Sequence, residues 1–136
     1  MLRTTEAQTY GDVVVTSHDL STQAAMEILA AGGNAVDAAI AANAMLGVCE
    51  PHTCGVGGDL FALVWEPGAA TPTALNASGR AGSGADPAII RAMGGDKIPS
   101  DHPLTATVPG CIDGWEALLD RYGSMPLETV LAPAIR

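Results

Sequence analysis

Gly32-Gly33-Asn34-Ala35-Val36-Asp37-Ala38-Ala39-Ile40-Ala41-Ala42 is the stretch on which the fold turns. Asn34 suits a helix N-cap, because its side-chain oxygen can accept from amides of the first turn that have no partner inside the helix. Asp37 falls in that first turn, where a carboxylate complements the helix dipole. Val36, Ala39, Ile40 and Asn43 recur at helical spacing on one face. Nearly every side chain is small, so this helix is expected to be deeply packed, with other backbones drawn close to its own.

Towards the N-terminus, Ala25, Ile28, Leu29 and Gly32 repeat at i, i+3, i+4 and i+7. With Ser21 as N-cap, they predict a helix over 21–31 closed by Gly32-Gly33. Val13, Val14 and Val15 before it form a β-branched run that suits a buried strand over 12–17. Towards the C-terminus, Pro51 ends the alanine-rich helix and the glycines at 55, 57 and 58 make a tight loop. Leu60 to Trp65 and Thr71 to Ala77 then read as an antiparallel hairpin joined by roughly five residues around Pro67-Gly68. Asp86-Pro87 opens a short helix through Met93, and Gly94 to Pro103 reads as irregular and exposed. Ile112, Trp115, Leu118, Leu119 and Tyr122 mark an amphipathic helix stopped by Gly123, and a last helix starts near Pro126. Its apolar period runs on to Arg136 with no capping glycine, so the chain is expected to be incomplete at its C-terminus.

The 136 residues suit a single domain. Six basic against fifteen acidic side chains, net −9, repel phosphate backbones and anionic lipid surfaces, which argues against nucleic-acid and membrane partners. No window approaches the ~18 uninterrupted apolar residues of a membrane span, and residues 1–10 lack the apolar stretch of a secretory signal. Three cysteines at irregular spacing fit free thiols better than a disulfide framework. Together these features predict a cytoplasmic protein. One Phe, two Tyr and two Trp against many Ala and Gly predict elements that meet through small side chains, with little buried area per residue.

Four sets of residues invite chemistry. The glycines at 55–58 fail as a dinucleotide loop, because Leu60 stands where a third glycine is needed and the loop leads from a helix into a strand. Cys49, His52 and Cys54, with Cys111 further on, lack the doubled Cys spacing or paired histidines of a zinc site, and no third group orients a Cys54/His52 nucleophile pair. No metal and no cofactor is therefore predicted. Asp59, after two glycines, suits an anchor for its loop by Asx-type bonds, and the other reading is a residue that helps define a site. Arg80 is a lone cation in a Gly/Ser-rich loop. It reads either as a surface arginine or as a guanidinium that grips a carboxylate through two parallel hydrogen bonds.

In order along the chain, Gly32 to Ala39, Glu50-Pro51-His52, Gly55 to Trp65, Ala77-Ser78-Gly79-Arg80-Ala81, Val108-Pro109-Gly110, Arg121-Tyr122-Gly123, Met125-Pro126-Leu127 and Pro133 to Arg136 resemble the opening blocks of the γ-glutamyltransferase (glutathione hydrolase) family. The resemblance implies an α/β (α+β) fold, the N-terminal part of the αββα sandwich of N-terminal-nucleophile hydrolases. Residues 1–136 would be the first segment of the large subunit. Such enzymes are made as zymogens that cleave themselves to free a threonine. Its hydroxyl attacks a γ-glutamyl amide, and the acyl group then passes to water or to an amino acid.

Arg80 would hold the α-carboxylate of the substrate, with its guanidinium turned inward and the hairpin stacked beneath the alanine-rich helix. Thr4, Thr5, Thr53, Thr105 and Thr107 lack the setting of the nucleophile, so no catalytic residue is assigned here and the threonine is expected downstream, which would leave this segment inert by itself. The partners implied are a small γ-glutamyl substrate and the remainder of the precursor, including its small subunit. Asp59 and Ala81 stand where the best-known glutathione-cleaving members carry glycine and an acidic residue. That pattern resembles bacterial γ-glutamyltransferase-like proteins, some of which cleave other amides such as cephalosporin side chains or oxamate. Two alternatives follow: an inactive homologue that only binds carboxylates, and an amidohydrolase or acylase of the same fold with another substrate.

Overall fold

Asn34 caps helix α2 (Ala35–Cys49) by a reciprocal pair of hydrogen bonds. Its Oδ1 accepts from Val36 N–H at 2.8 Å and Asp37 N–H at 3.1 Å, while Asp37 accepts from Asn34 N–H at 2.8 Å. In the computed structural model, which describes residues 11–92, 97–100 and 102–136, α2 is the centre of the molecule. Helix α1 (Asp19–Ala30) lies along it, and α5 (Leu127–Ile135) and α4 (Cys111–Tyr122) cover its other sides.

The α1–α2 interface is built from Ala25 and Ile28 against Ala38, Ala41 and Ala42, all buried. Within it Ser21 Oγ donates to the Ala42 carbonyl at 2.8 Å. Methyl-sized contacts bring the backbones close, and the buried hydroxyl is satisfied across the interface. Ser21 therefore has a packing role, and the α1 cap is His18, whose Nδ1 accepts from Leu20 N–H at 3.2 Å. At the other end, Gly33 N–H donates to the Ile28 carbonyl and Gly32 N–H to the Leu29 carbonyl, both 3.0 Å, with Gly32 at φ +93°. This is the glycine-closed helix end that the sequence predicts.

The α2 face differs from the sequence expectation. Asp37, Ala38, Ile40, Ala41, Ala42 and Ala44 are buried and Ala39 is exposed. A helix with neighbours on three sides buries more than one stripe, so a single-face reading cannot place its exposed edge. Asp37 is fully buried and also accepts from Ser124 N–H at 3.0 Å, from the Ser124 hydroxyl and from Met125 N–H at 3.3 Å. One carboxylate thus caps α2 and fixes the turn between α4 and α5. Burial pushes its pKa up, but the four donors outweigh that and hold it below the usual carboxylate range.

Strands β1 (Leu60–Val64) and β2 (Thr73–Ala77) pair antiparallel with Leu60 opposite Ala77 and Val64 opposite Thr73. Leu60, Ala62, Val64 and Leu75 face the core, whereas Phe61 and Leu63 point outward at 68% and 73% exposure. The connection runs over 65–72, longer than expected, and is tied by Trp65 Nε1 donating to the Ala69 carbonyl at 3.1 Å. The hairpin lies on α4, not beneath α2. Cys111, Gly114, Trp115 and Leu118 form the buried face of α4, and Ile112 is exposed. Trp115 Nε1 donates to Asn43 Oδ1 of α2 at 3.0 Å, which locks α4 between hairpin and helix.

The strand expected over 12–17 is absent: these residues enter no ladder with any described residue. Val13 and Val15 are exposed, while Val14 and Thr16 turn inward. The inside–outside alternation of a strand is present, but a strand also needs a hydrogen-bonded neighbour. Helix α3 spans Pro87–Ala92, and Met93 to Asp96 and Asp101 lie outside the described residues. A single 3₁₀ turn, Pro103–Thr105, precedes α4. The architecture is α+β, as the sequence predicts, with five helices and a two-stranded sheet among the described residues.

Candidate functional site

Arg80 stands on the bend that leaves β2, where three separate segments meet. Asp59, the residue before β1, accepts through Oδ1 from Gly79 N–H at 2.9 Å and from the Thr107 hydroxyl at 2.9 Å. On the other side of Arg80, its own carbonyl accepts from Val108 N–H at 2.8 Å, and Ala81 bridges Thr107 in antiparallel fashion. A third tie closes the corner: the Gly58 carbonyl accepts from Gly110 N–H at 3.1 Å and Cys111 N–H at 3.0 Å, at the start of α4. The backbone carrying Arg80 is thus held on both flanks.

The local sequence explains the geometry. Asn76 Oδ1 accepts from Ser78 N–H at 2.9 Å, an Asx turn that breaks β2 out of its ladder. Gly79 lies so close to residue 108 that an added Cβ would sit 1.5 Å from the Val108 carbonyl oxygen. No side chain fits there, so the approach of the two chains requires glycine at 79.

Asp59 is exposed, and its pKa is lowered, first by Gly79 N–H and then by the Thr107 hydroxyl. Its bonds reach across the fold to 79 and 107, beyond the glycine loop in which the sequence placed its anchoring role. The loop itself closes by Gly58 N–H donating to the Gly55 carbonyl at 3.1 Å, and it delivers the chain to β1.

The Arg80 side chain is exposed and makes no hydrogen bond or ion pair with any described residue. This corrects the expectation that it turns inward: the bend projects from a corner of the hairpin where no described element forms a wall outside it. What the corner offers is a fixed backbone and a guanidinium whose five N–H donors have no partner among the described residues. Thr107, set aside as a nucleophile from its sequence setting, is here the donor that ties Asp59 to the 107–110 segment. The sequence carries no signal for that pairing, because its partners are 48 residues apart.

Cys49 and Cys54 are partly buried and Cys111 is buried, all as free thiols. Burial, and secondarily the neighbouring Cys54, push the Cys111 thiol pKa up, which disfavours its thiolate form. Among the described residues no three His, Cys, Asp or Glu side chains are grouped to hold a metal ion. A groove of about 720 Å³ runs between residues 12–16 and the alanine faces of α1 and α2, and shares no residue with the Arg80 corner. No helix among the described residues is long and apolar enough to cross a membrane.

A family model described as gamma-glutamyltranspeptidase matches residues 21–136. The glutathione hydrolase-like YwrD proenzyme of Bacillus subtilis is 42% identical over 123 residues, 90% of this chain and 23% of its own length. The oxamate amidohydrolase proenzyme of Klebsiella pneumoniae is 40% identical over 141 residues, 98% of this chain and 26% of its own. Among solved structures, the gamma-glutamyltranspeptidase of Helicobacter pylori superposes with a TM-score of 0.85 at 31% identity, over 96% of this chain and 38% of that one. The chain spans about a quarter of the length of the two curated relatives.

Proposed function

The chain belongs to the gamma-glutamyltranspeptidase family of N-terminal-nucleophile hydrolases, and from that premise we propose that it is the amino-terminal segment of the large subunit of a proenzyme that cleaves γ-glutamyl amides. In this reading the segment supplies scaffold and a carboxylate anchor, and a self-released threonine in the remaining sequence supplies the nucleophile. The threonine hydroxyl attacks the amide carbonyl, the amine leaves, and water or an amino acid takes the acyl group. Arg80 grips the α-carboxylate through two parallel hydrogen bonds and so sets the distance from carboxylate to scissile carbonyl. The observation that carries this is the Arg80 corner: an exposed guanidinium, unpaired among the described residues, on a backbone fixed from both sides. The three free thiols support a reducing, cytoplasmic setting.

The test is Arg80→Ala in the full-length protein, assayed on a γ-glutamyl anilide and on the matching anilide without the α-carboxylate. A broken charged pair costs about 3 kcal/mol, roughly a 150-fold loss in kcat/KM, on the first substrate alone. Equal small effects on both would remove Arg80 from the site.

A second reading is favoured by the likeness to the oxamate amidohydrolase. Oxamate is also an amide that carries a carboxylate, but the two groups are adjacent, whereas three carbons separate them in a γ-glutamyl amide. The same arginine serves either substrate if the nucleophile stands at a different distance. Turnover of ω-amides of increasing chain length distinguishes them, with a rate maximum at oxamate or at glutamine. A protein that binds such carboxylates and turns over none is the inactive homologue.

A further inference from the structure

We propose that Asp59 is a positioning residue for Arg80: its carboxylate, held between the Gly79 amide and the Thr107 hydroxyl, fixes the direction in which the guanidinium meets a substrate carboxylate. The inference rests on the carboxylate-anchor reading of Arg80 and adds a residue that the reading does not use.

Arg80 follows Gly79 directly. Gly79 has no side chain to restrict its rotation, and the arginine that follows it inherits that freedom. Two contacts remove it. The Val108 carbonyl fills the space that a side chain at 79 would occupy, and Asp59 Oδ1 takes the Gly79 N–H at 2.9 Å. The same oxygen takes the Thr107 hydroxyl at 2.9 Å, and Thr107 bridges Ala81 on the far side of Arg80. One carboxylate oxygen therefore joins the residue that leads into β1, the residue before Arg80 and the segment paired with the residue after it.

Both bonds to Asp59 are made by neutral donors to an ionised acceptor, the stronger class of hydrogen bond. No side chain of the corner other than Asp59 reaches the Gly79 amide among the described residues. A two-point grip on a carboxylate tolerates little angular error, so loosening this bend affects ligand capture before it affects bond cleavage.

The experiment uses the full-length enzyme and its carboxylate-bearing amide. Asp59→Ala is expected to raise KM at least tenfold with kcat within about twofold, and to leave an amide without the carboxylate unaffected. Asp59→Asn keeps an acceptor oxygen at the same place and is expected to restore KM to within about threefold of the parent. In an Arg80→Ala background, Asp59→Ala is expected to add nothing, the non-additivity of two residues that act through one contact.

If Arg80→Ala spares the carboxylate-bearing substrate, the anchor reading itself fails. If Arg80→Ala is damaging and Asp59→Ala multiplies that damage by its full single-variant factor, the anchor stands and the positioning role is refuted. If Asp59→Ala does not fold, Thr107→Val decides: it removes one of the two donors, and a KM raised severalfold at unchanged kcat supports the role, whereas an unchanged KM overturns it.

Discussion

Asp37 shows how one side chain can hold two parts of the molecule. As the N3 residue of α2 it satisfies Asn34 N–H, and as a fully buried acceptor it satisfies two amides and a hydroxyl at Ser124 and Met125. Asp37→Asn keeps the volume but loses the charge and one acceptor, leaving buried donors unpaired. The expected cost at pH 7 is about 2–4 kcal/mol in denaturant unfolding of the full-length protein. The sign of the pH dependence follows from the lowered pKa. The folded carboxyl binds its proton less tightly than the unfolded one, so this contribution is complete above the unfolded value of about 4 and fades as pH falls through the folded value. The gap between parent and Asp37→Asn should therefore shrink below about pH 4. A gap independent of pH would mean that the charge of Asp37 carries none of the effect.

Of the local half, the Asn34 cap and the first-turn place of Asp37 were legible because both are short-range patterns, whereas the return bond from Asn34 N–H to Asp37 was not read. The half that reaches Ser124 spans 87 residues and leaves no trace in spacing.

At the element level, the cap of α2, the C-terminal ends of α1 and α4 and the period of α4 were readable because their causes lie within a few residues, whereas the N-cap of α1 and the exposed edge of α2 were not. Gly32-Gly33 closes α1, Gly123 closes α4, and Trp115 with Leu118 marks the buried face of α4. Elements that depend on a neighbour were not. Residues 12–16 carry the alternation of a strand without a ladder, and the hairpin lies on α4 where the alanine-rich helix was expected.

The α4–hairpin contact has a specific dependence on Gly114. A Cβ there would sit 2.7 Å from Leu60 Cδ2 and 2.8 Å from the Ala77 Cβ, and the second neighbour moves only with its backbone. Gly→Ala inside an exposed helix stabilises by about 1 kcal/mol through propensity, but overpacking costs about 1–3 kcal/mol, so Gly114→Ala is expected to lower the melting temperature. Because Ala77 leads into the Arg80 bend, the same variant should raise KM for a carboxylate-bearing amide. A raised melting temperature with KM unchanged would contradict this account of the contact.

Across the whole molecule, the outer side of the hairpin is open among the described residues. Phe61, Leu63 and Trp65 share exposures near 70%, and Val13 and Val15 are open as well. Apolar surface of this kind marks an interface, and the chain spans about a quarter of its curated relatives. Arg80 lies at the edge of that open side, and its side chain meets no wall among the described residues. The order of short blocks from Gly32 to Arg136 carried the family, since each block is weak alone and chance does not keep them in sequence. Substrate was not legible, because in the proposed reading the distance from carboxylate to scissile bond is set by a nucleophile that the remaining sequence would supply.

The proposed carboxylate anchor at Arg80 is tested by calorimetric titration of the full-length protein with L-glutamate and with oxamate, repeated on Arg80→Ala. Binding of at least one of the two, weakened about 100-fold or more in the variant, is the predicted result. An affinity that is the same with and without the guanidinium would contradict it.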